Sequence, residues 1–191
     1  MAYFPMYVDI TNKDCLIVGG GKVALRKVEV LLDFKAKVCV VAEAVCEQIK
    51  ALEDEGKITV LEREFKDKDI EKRFLVVAAT NQKELNHRIS SLASQKNIPV
   101  NAVDQIEDCY FIFPAYVKEK ELVAAFSSSG KSPVTAQYLK QKEKEILTPR
   151  LGEINDYLGA IRQEIIEKYD DDKLRRAAFK EILEKALSEE I

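Results

Sequence analysis

Three consecutive glycines, Gly19, Gly20 and Gly21, interrupt an apolar run and open a stretch with helical spacing. Glycines let the backbone turn tightly and approach an anion, and a helix start offers unpaired N–H groups at the positive end of its dipole. That combination suits a pyrophosphate. Read as G-x-G-x-x-A, the motif is Gly19, Gly21 and Ala24, the last small enough for the helix to pack on the strand. A plain strand-to-helix turn reads the same way, and the strand before and helix after it favour a dinucleotide. Glu43 is the first acid after the apolar residues 38–42, slightly beyond the place where a carboxylate accepts from ribose hydroxyls. It either binds ribose or faces solvent. No lysine or arginine lies between Val38 and Glu47, which favours NAD over NADP. Thr80 and Asn81 follow one apolar run and Asp104 another. A carboxylate at Asp104 can take or relay a proton during an oxidation, or simply cap a turn. In residues 127–133, three serines, Gly130 and Lys131 precede a helix with Ser132 as its N-cap and Pro133 first. This arrangement suits an anion such as a substrate carboxylate, and equally suits helix capping alone.

Elements that alternate between strand and helix must hold these groups. Strands are predicted at residues 15–18, 37–41, 58–61, 73–79, 98–103 and 110–113. Helices follow the glycines, span residues 44–55 to end at Gly56, and span about 82–95 with Leu85, Ile89, Leu92 and Ala93 on one face. The fold class is therefore α/β, a Rossmann-like doubly wound parallel sheet over residues 1–113, binding ligands beyond the carboxyl ends of its strands. The glycines, Thr80 with Asn81, and Asp104 all fall at those ends. Residues 3–10, apolar but broken by Pro5, suggest a short edge strand. Beyond Pro114 the pattern changes to two short strands around a charged turn at residues 118–121, then a helix over 134–147. A lone hairpin is marginal, so residues 114–148 are expected to form a small α+β dimerisation region in a homodimer. Residues 149–191 read as two or three amphipathic helices, divided near residues 170–172.

Composition bounds the partners. The 191 residues are 47% hydrophobic and 33% charged, with a net charge of −3. No basic excess exists to neutralise phosphates, so neither nucleic acid nor a membrane surface is expected. With no leader-like start and no apolar run near roughly 18 residues, the expectation is a soluble, cytoplasmic protein. The four cysteines, Cys15, Cys39, Cys46 and Cys109, form no C-x-x-C and read as structural thiols, Cys15 and Cys39 inside predicted buried strands. His87 is the only histidine and reads as an exposed helix residue, so no resident metal site is expected.

Taken together, Phe4-Pro-Met-Tyr7, the glycine segment from Asp14 to Ala24 with Arg26 and Lys27, Val77-Ala-Ala-Thr-Asn81, Asn101-Ala-Val-Asp104, Phe111-Ile-Phe-Pro114 and Ser127-Ser-Ser-Gly-Lys-Ser-Pro-Val134 resemble one family. It is the precorrin-2 dehydrogenases of sirohaem synthesis, which include the amino-terminal module of bacterial sirohaem synthase and the yeast bifunctional dehydrogenase/ferrochelatase. The resemblance implies a homodimer that oxidises the tetrapyrrole precorrin-2 to sirohydrochlorin with NAD. It implies that Asp104 is catalytic and that Lys22 and Val23 meet the cofactor phosphates. Glu43 and Ala44 would flank the adenosine ribose, beside Gly19, Gly21, Ala24, Thr80 and Asn81 in the cofactor site. Asn101, Ser128, Gly130 and Lys131 would face the substrate. Arg26, Lys131, Arg150, Arg162, Arg175 and Arg176 are candidates for its carboxylates. In bifunctional relatives the aspartate also serves insertion of Fe2+, and the sequence leaves open whether Fe2+ or Co2+ chelation is a second activity here. The methyltransferase domain of the fused bacterial enzyme is missing, so methylation is not expected. A non-catalytic NAD(H)-sensing domain and a chelatase without redox function are the competing readings.

Overall fold

Strands rich in valine and isoleucine, apolar toward both faces, must lie in a sheet covered on both sides, and the strands of the first half do. In the computed structural model, which describes residues 3–188, they are β1 (Asp14–Val18), β2 (Lys37–Ala42), β3 (Ile58–Glu62), β4 (Leu75–Ala78) and β5 (Val100–Ala102). They pair in parallel in the order β3-β2-β1-β4-β5. The direction of winding reverses between β1 and β4, which opens a crevice at the carboxyl edge beside the glycines. The connections are α1 (Lys22–Asp33), α2 (Glu47–Asp54), a single 3-10 turn over Asp67–Ile70, and α3 (Lys83–Gln95). Leu16, Val41, Val76 and Ile89 are wholly buried in this core, and Ala24 of α1 is wholly buried too.

Residues 3–112 form one compact unit and residues 113–188 another. The second contains an antiparallel hairpin, β6 (Ala115–Glu119) and β7 (Leu122–Phe126), then α4 (Pro133–Glu143), α5 (Pro149–Ala160), α6 (Arg162–Lys168) and α7 (Asp172–Ser188). Within it, Lys140 of α4 sits 5.4 Å above the Tyr116 ring, and Lys120 in the hairpin turn pairs with Asp156 of α5 at 2.7 Å. A side chain at Gly152 would press on the Glu119 carbonyl, so the glycine lets α5 approach β6. Arg150 donates to the Ala186 carbonyl, and Arg175 to the carbonyls of Tyr169 and Ile166. Basic groups thus satisfy the carbonyls that helix ends leave open. Among the described residues, no helix is long and apolar enough to cross a membrane.

Several predicted elements are corrected. Residues 110–113 are not a strand: the amides of Tyr110 and Phe111 reach only the Val100 carbonyl, and the Phe111 carbonyl is taken by the Asn101 side chain instead of a ladder. The sheet therefore ends at β5. Residues 3–10 pair with no strand, and Phe4, Met6 and Tyr7 are exposed. The second helix starts three residues late, at Glu47, because residues 44–46 pack against the glycine turn. The helix expected to reach residue 147 stops at Glu143, where looser turns succeed it. Residues 1, 2 and 189–191 of the expected domains lie outside the described residues.

Candidate functional site

The three glycines do different work. Gly19, at φ +127°, donates its N–H to the Val41 carbonyl at 2.9 Å, and a Cβ there would collide with the Ala79 carbonyl. Gly20 accepts from the Cys46 N–H at 2.8 Å, and a Cβ there would run into the Ala44 carbonyl. These two therefore hold the turn against the ends of β2 and β4. Gly21 is the open one: a Cβ on it meets nothing within 4 Å. It caps α1 without a side-chain hydrogen bond, and the first turn of α1 carries no acid. Open space, uncapped helix N–H groups and the cationic Lys22 together fit a dinucleotide pyrophosphate.

Above this turn lies a cleft of about 810 Å³. Gly19, Gly20, Gly21, Lys22, Val23, Glu43, Ala44, Thr80, Asn81 and Asp104 all line it. Ala24 does not; it is fully buried beneath the helix. Thr80 is locked by Asn86 of α3, which is 2% exposed. The Thr80 N–H and hydroxyl both donate to Asn86 Oδ1, at 3.2 and 2.7 Å, and Asn86 Nδ2 donates back to the Thr80 carbonyl at 3.1 Å. Asp104 follows β5 in the left-handed conformation, at φ +61°, which Asp tolerates better than most residues. Burial pushes the ammonium of Lys27, on α1, down, and attraction from Cys109 and Asp104 opposes that shift. Asn101 lies outside the cleft lining, 7% exposed, and donates to the Phe111 carbonyl at 3.0 Å.

Sequence reasoning missed the far wall. Arg63, Glu64 and Phe65, just past β3, line the cleft, as do Gln82, Leu85 and Arg88 around the start of α3. Arg63 joins Asp69 through two bonds of 2.7 and 2.8 Å, and Arg88 joins Asp67 at 2.6 Å. The guanidinium, aided by the Lys66 N–H, holds the Asp69 carboxyl below the usual aspartate range against the opposing effect of burial. The available signal was positional: Arg63 is the first residue beyond the third strand, at the same carboxyl edge as the glycines.

The serine-rich loop belongs to the second unit. Ser132 Oγ accepts from the Thr135 N–H at 3.2 Å, so the capping geometry is present. Ser128 Oγ accepts from the Ser132 N–H at 3.0 Å, and Ser129 and Gly130 both have positive φ. Lys131 is exposed at the tip and donates its N–H to the Ser128 carbonyl. Of the arginines considered for substrate carboxylates, Arg150 and Arg175 are engaged on helix-end carbonyls. His87 is exposed and lies 2.9 Å from Asp108. Burial, with the Asp14 carboxylate next, pushes the Cys15 thiol up to about 12, as an inert core thiol requires.

The chain is similar to known proteins. The siroheme synthase of Vesicomyosocius okutanii is 35% identical over all 191 residues, which cover 41% of that protein. The siroheme synthase of Neisseria meningitidis is 39% identical over 168 residues, 88% of this chain and 35% of that protein. The chain thus spans about two fifths of the length of the curated relatives it matches. Among solved structures, "SirC, precorrin-2 dehydrogenase" shares the fold, with a TM-score of 0.66 and 22% identity over 98% of this chain and 100% of that one. A family model described as "Putative NAD(P)-binding" matches residues 6–115. That span holds the whole sheet, the glycine turn and every residue lining the cleft, and this chain belongs to that NAD(P)-binding family.

Proposed function

We propose that the chain is an NAD-dependent precorrin-2 dehydrogenase, acting as a homodimer in the cytoplasm on the route to sirohaem. One observation carries the reading: a single cleft lining contains both the phosphate-binding turn and the Asp104 carboxylate. The names of the relatives and of the structural neighbour supply the substrate class. Bound NAD would accept a hydride. Gly21, Lys22 and Val23 hold its pyrophosphate at the start of α1, and Glu43 and Ala44 border the adenosine ribose. Thr80, fixed by Asn86, and Asn81 form the floor beyond β4. Asp104 Oδ takes the proton that precorrin-2 loses with the hydride, so the macrocycle gains one double bond. Ser128, Gly130 and Lys131 present polar groups to the substrate's carboxylates, and Asn101 supports the segment before Asp104. Residues 114–148 serve dimerisation and residues 149–191 form a helical tail. The dimer reading rests on the isolated two-stranded hairpin and on exposed Val134, Tyr138 and Leu139 of α4.

The test is NADH absorbance during incubation of the purified protein with precorrin-2 and NAD. The wild type is expected to produce NADH and sirohydrochlorin together. Asp104→Asn is expected to lose at least about a hundredfold in rate, the range for a general base, with NAD affinity retained. A wild type that binds NAD yet turns over nothing would favour the sensor reading.

A further inference from the structure

Two arginines line the cofactor cleft, and both are neutralised from one short element. Arg63 is beside the ribose end of the site: its backbone N–H donates to the Ala42 carbonyl at 2.9 Å, next to Glu43 and Ala44. A guanidinium in that position ordinarily attracts the 2′-phosphate of NADP. Here both of its terminal nitrogens are bound to the Asp69 carboxylate, and Nη1 also donates to the Glu64 carbonyl at 2.8 Å. Asp69 is itself only 8% exposed and anchored by the Lys66 N–H, so it has no freedom to swing away. Arg88, on the same wall, is tied to Asp67. Asp67 and Asp69 both belong to the 3-10 turn between β3 and β4. The lining carboxylates tell the opposite story. Neither Glu43 nor Glu64 has a side-chain partner among the described residues, so both remain able to accept from ribose hydroxyls and to repel a phosphate.

We infer that the turn Asp67–Ile70 sets the cofactor preference, with Asp69, and secondarily Asp67, occupying the arginines that would otherwise take the 2′-phosphate of NADP. The inference rests on the reading of this cleft as a dinucleotide site and concerns only which dinucleotide it takes. It makes Asp69 a positioning residue that never touches the cofactor. Its charge decides whether the Arg63 guanidinium is already occupied or free to meet a phosphorylated ribose.

Titration of the full chain with NAD and NADP separately, followed by intrinsic tyrosine fluorescence or calorimetry, tests this without any turnover. The wild type should bind NAD in preference to NADP. In Asp69→Asn the ratio of NADP to NAD affinity should rise about tenfold, the scale of one charge-assisted contact to phosphate. Adding Arg63→Gln to that variant should abolish the gain. Asp67→Asn, at an exposed pair that the fold does not depend on, should raise the ratio about threefold through Arg88, a weaker, solvent-screened contact. It provides the decisive reading if Asp69→Asn does not fold. An unchanged ratio in folded Asp69→Asn, or, where that variant fails to fold, in Asp67→Asn, overturns the inference. So does a gain that survives Arg63→Gln. A wild type that prefers NADP overturns it while keeping the cofactor site, whereas a wild type that binds neither refutes the reading of the cleft itself.

Discussion

Leu16, Ile17, Val40, Val76 and Ile89 in residues 3–112 are sealed from water completely. The most buried apolar side chains of residues 113–188, Val117, Leu147 and Ile165, keep 6–7% exposure, and α7 has none that is buried. The contrast follows from architecture. A five-stranded parallel sheet with helices on its faces closes around its own core, whereas a two-stranded hairpin and amphipathic helices have too few faces to do so. Rigid, sealed elements are where a constellation of functional groups can be held to a fraction of an ångström. The cleft lies there. The second unit instead leaves apolar surface on α4, as a surface meant for a partner copy would.

Three changes would break or sharpen this contrast. The largest effect is expected from Gly20→Ala. The added methyl must displace the Ala44 backbone, and the nucleotide-binding unit should lose about 3 kcal/mol, the upper range for overpacking. Denaturant unfolding with and without NAD measures it, and a loss near zero would show that the turn is not clamped between β2 and β4. A smaller effect on stability, confined to the other unit, is expected from Val134→Asp with Tyr138→Asp on the exposed face of α4. These should convert dimer to monomer in sedimentation while the nucleotide-binding unit changes by less than about 0.5 kcal/mol, as for surface substitutions. A variant that stays dimeric would put the proposed interface elsewhere. The smallest concerns pH. Because Arg63 depresses the folded-state pKa of Asp69, its contribution is complete above the unfolded value near about 4 and fades as pH falls through the lower folded value. The stability difference between wild type and Asp69→Asn should therefore be level from about pH 7 to 5 and narrow below about 4. A difference that widens in acid would contradict the ion pair.

The sheet could be read from sequence because its strands are continuous apolar runs separated by glycine and by helical periodicity. Residues 110–113 misled for the same reason: four apolar residues look like a strand, but whether they join a ladder depends on what accepts and donates across it. Asn101, a residue 9–12 positions away, takes the carbonyl that a ladder would have used. The glycines Gly19–Gly21, Thr80 with Asn81, and Asp104 could be gathered on one edge because strand ends are sequence-local, while Lys22 and Val23 came from the resemblance. Arg63, the first residue beyond β3, carried the same positional signal, whereas Arg88, inside α3, carried none. Their ion pairs join residues 6 and 21 positions apart, and nothing local marks the carboxylates that hold them. Asn86 was equally hidden, since its part is played wholly through Thr80.

The clamping of Gly19 and Gly20 has a thermodynamic consequence. A turn already fixed by backbone bonds to Val41 and Cys46 has lost its conformational freedom during folding, before any cofactor arrives. Little ordering is then left for binding to impose. Association should therefore resemble a key entering a cut lock, with amide hydrogen exchange in the turn already slow in the apo-protein and changed only at the open N–H groups that begin α1.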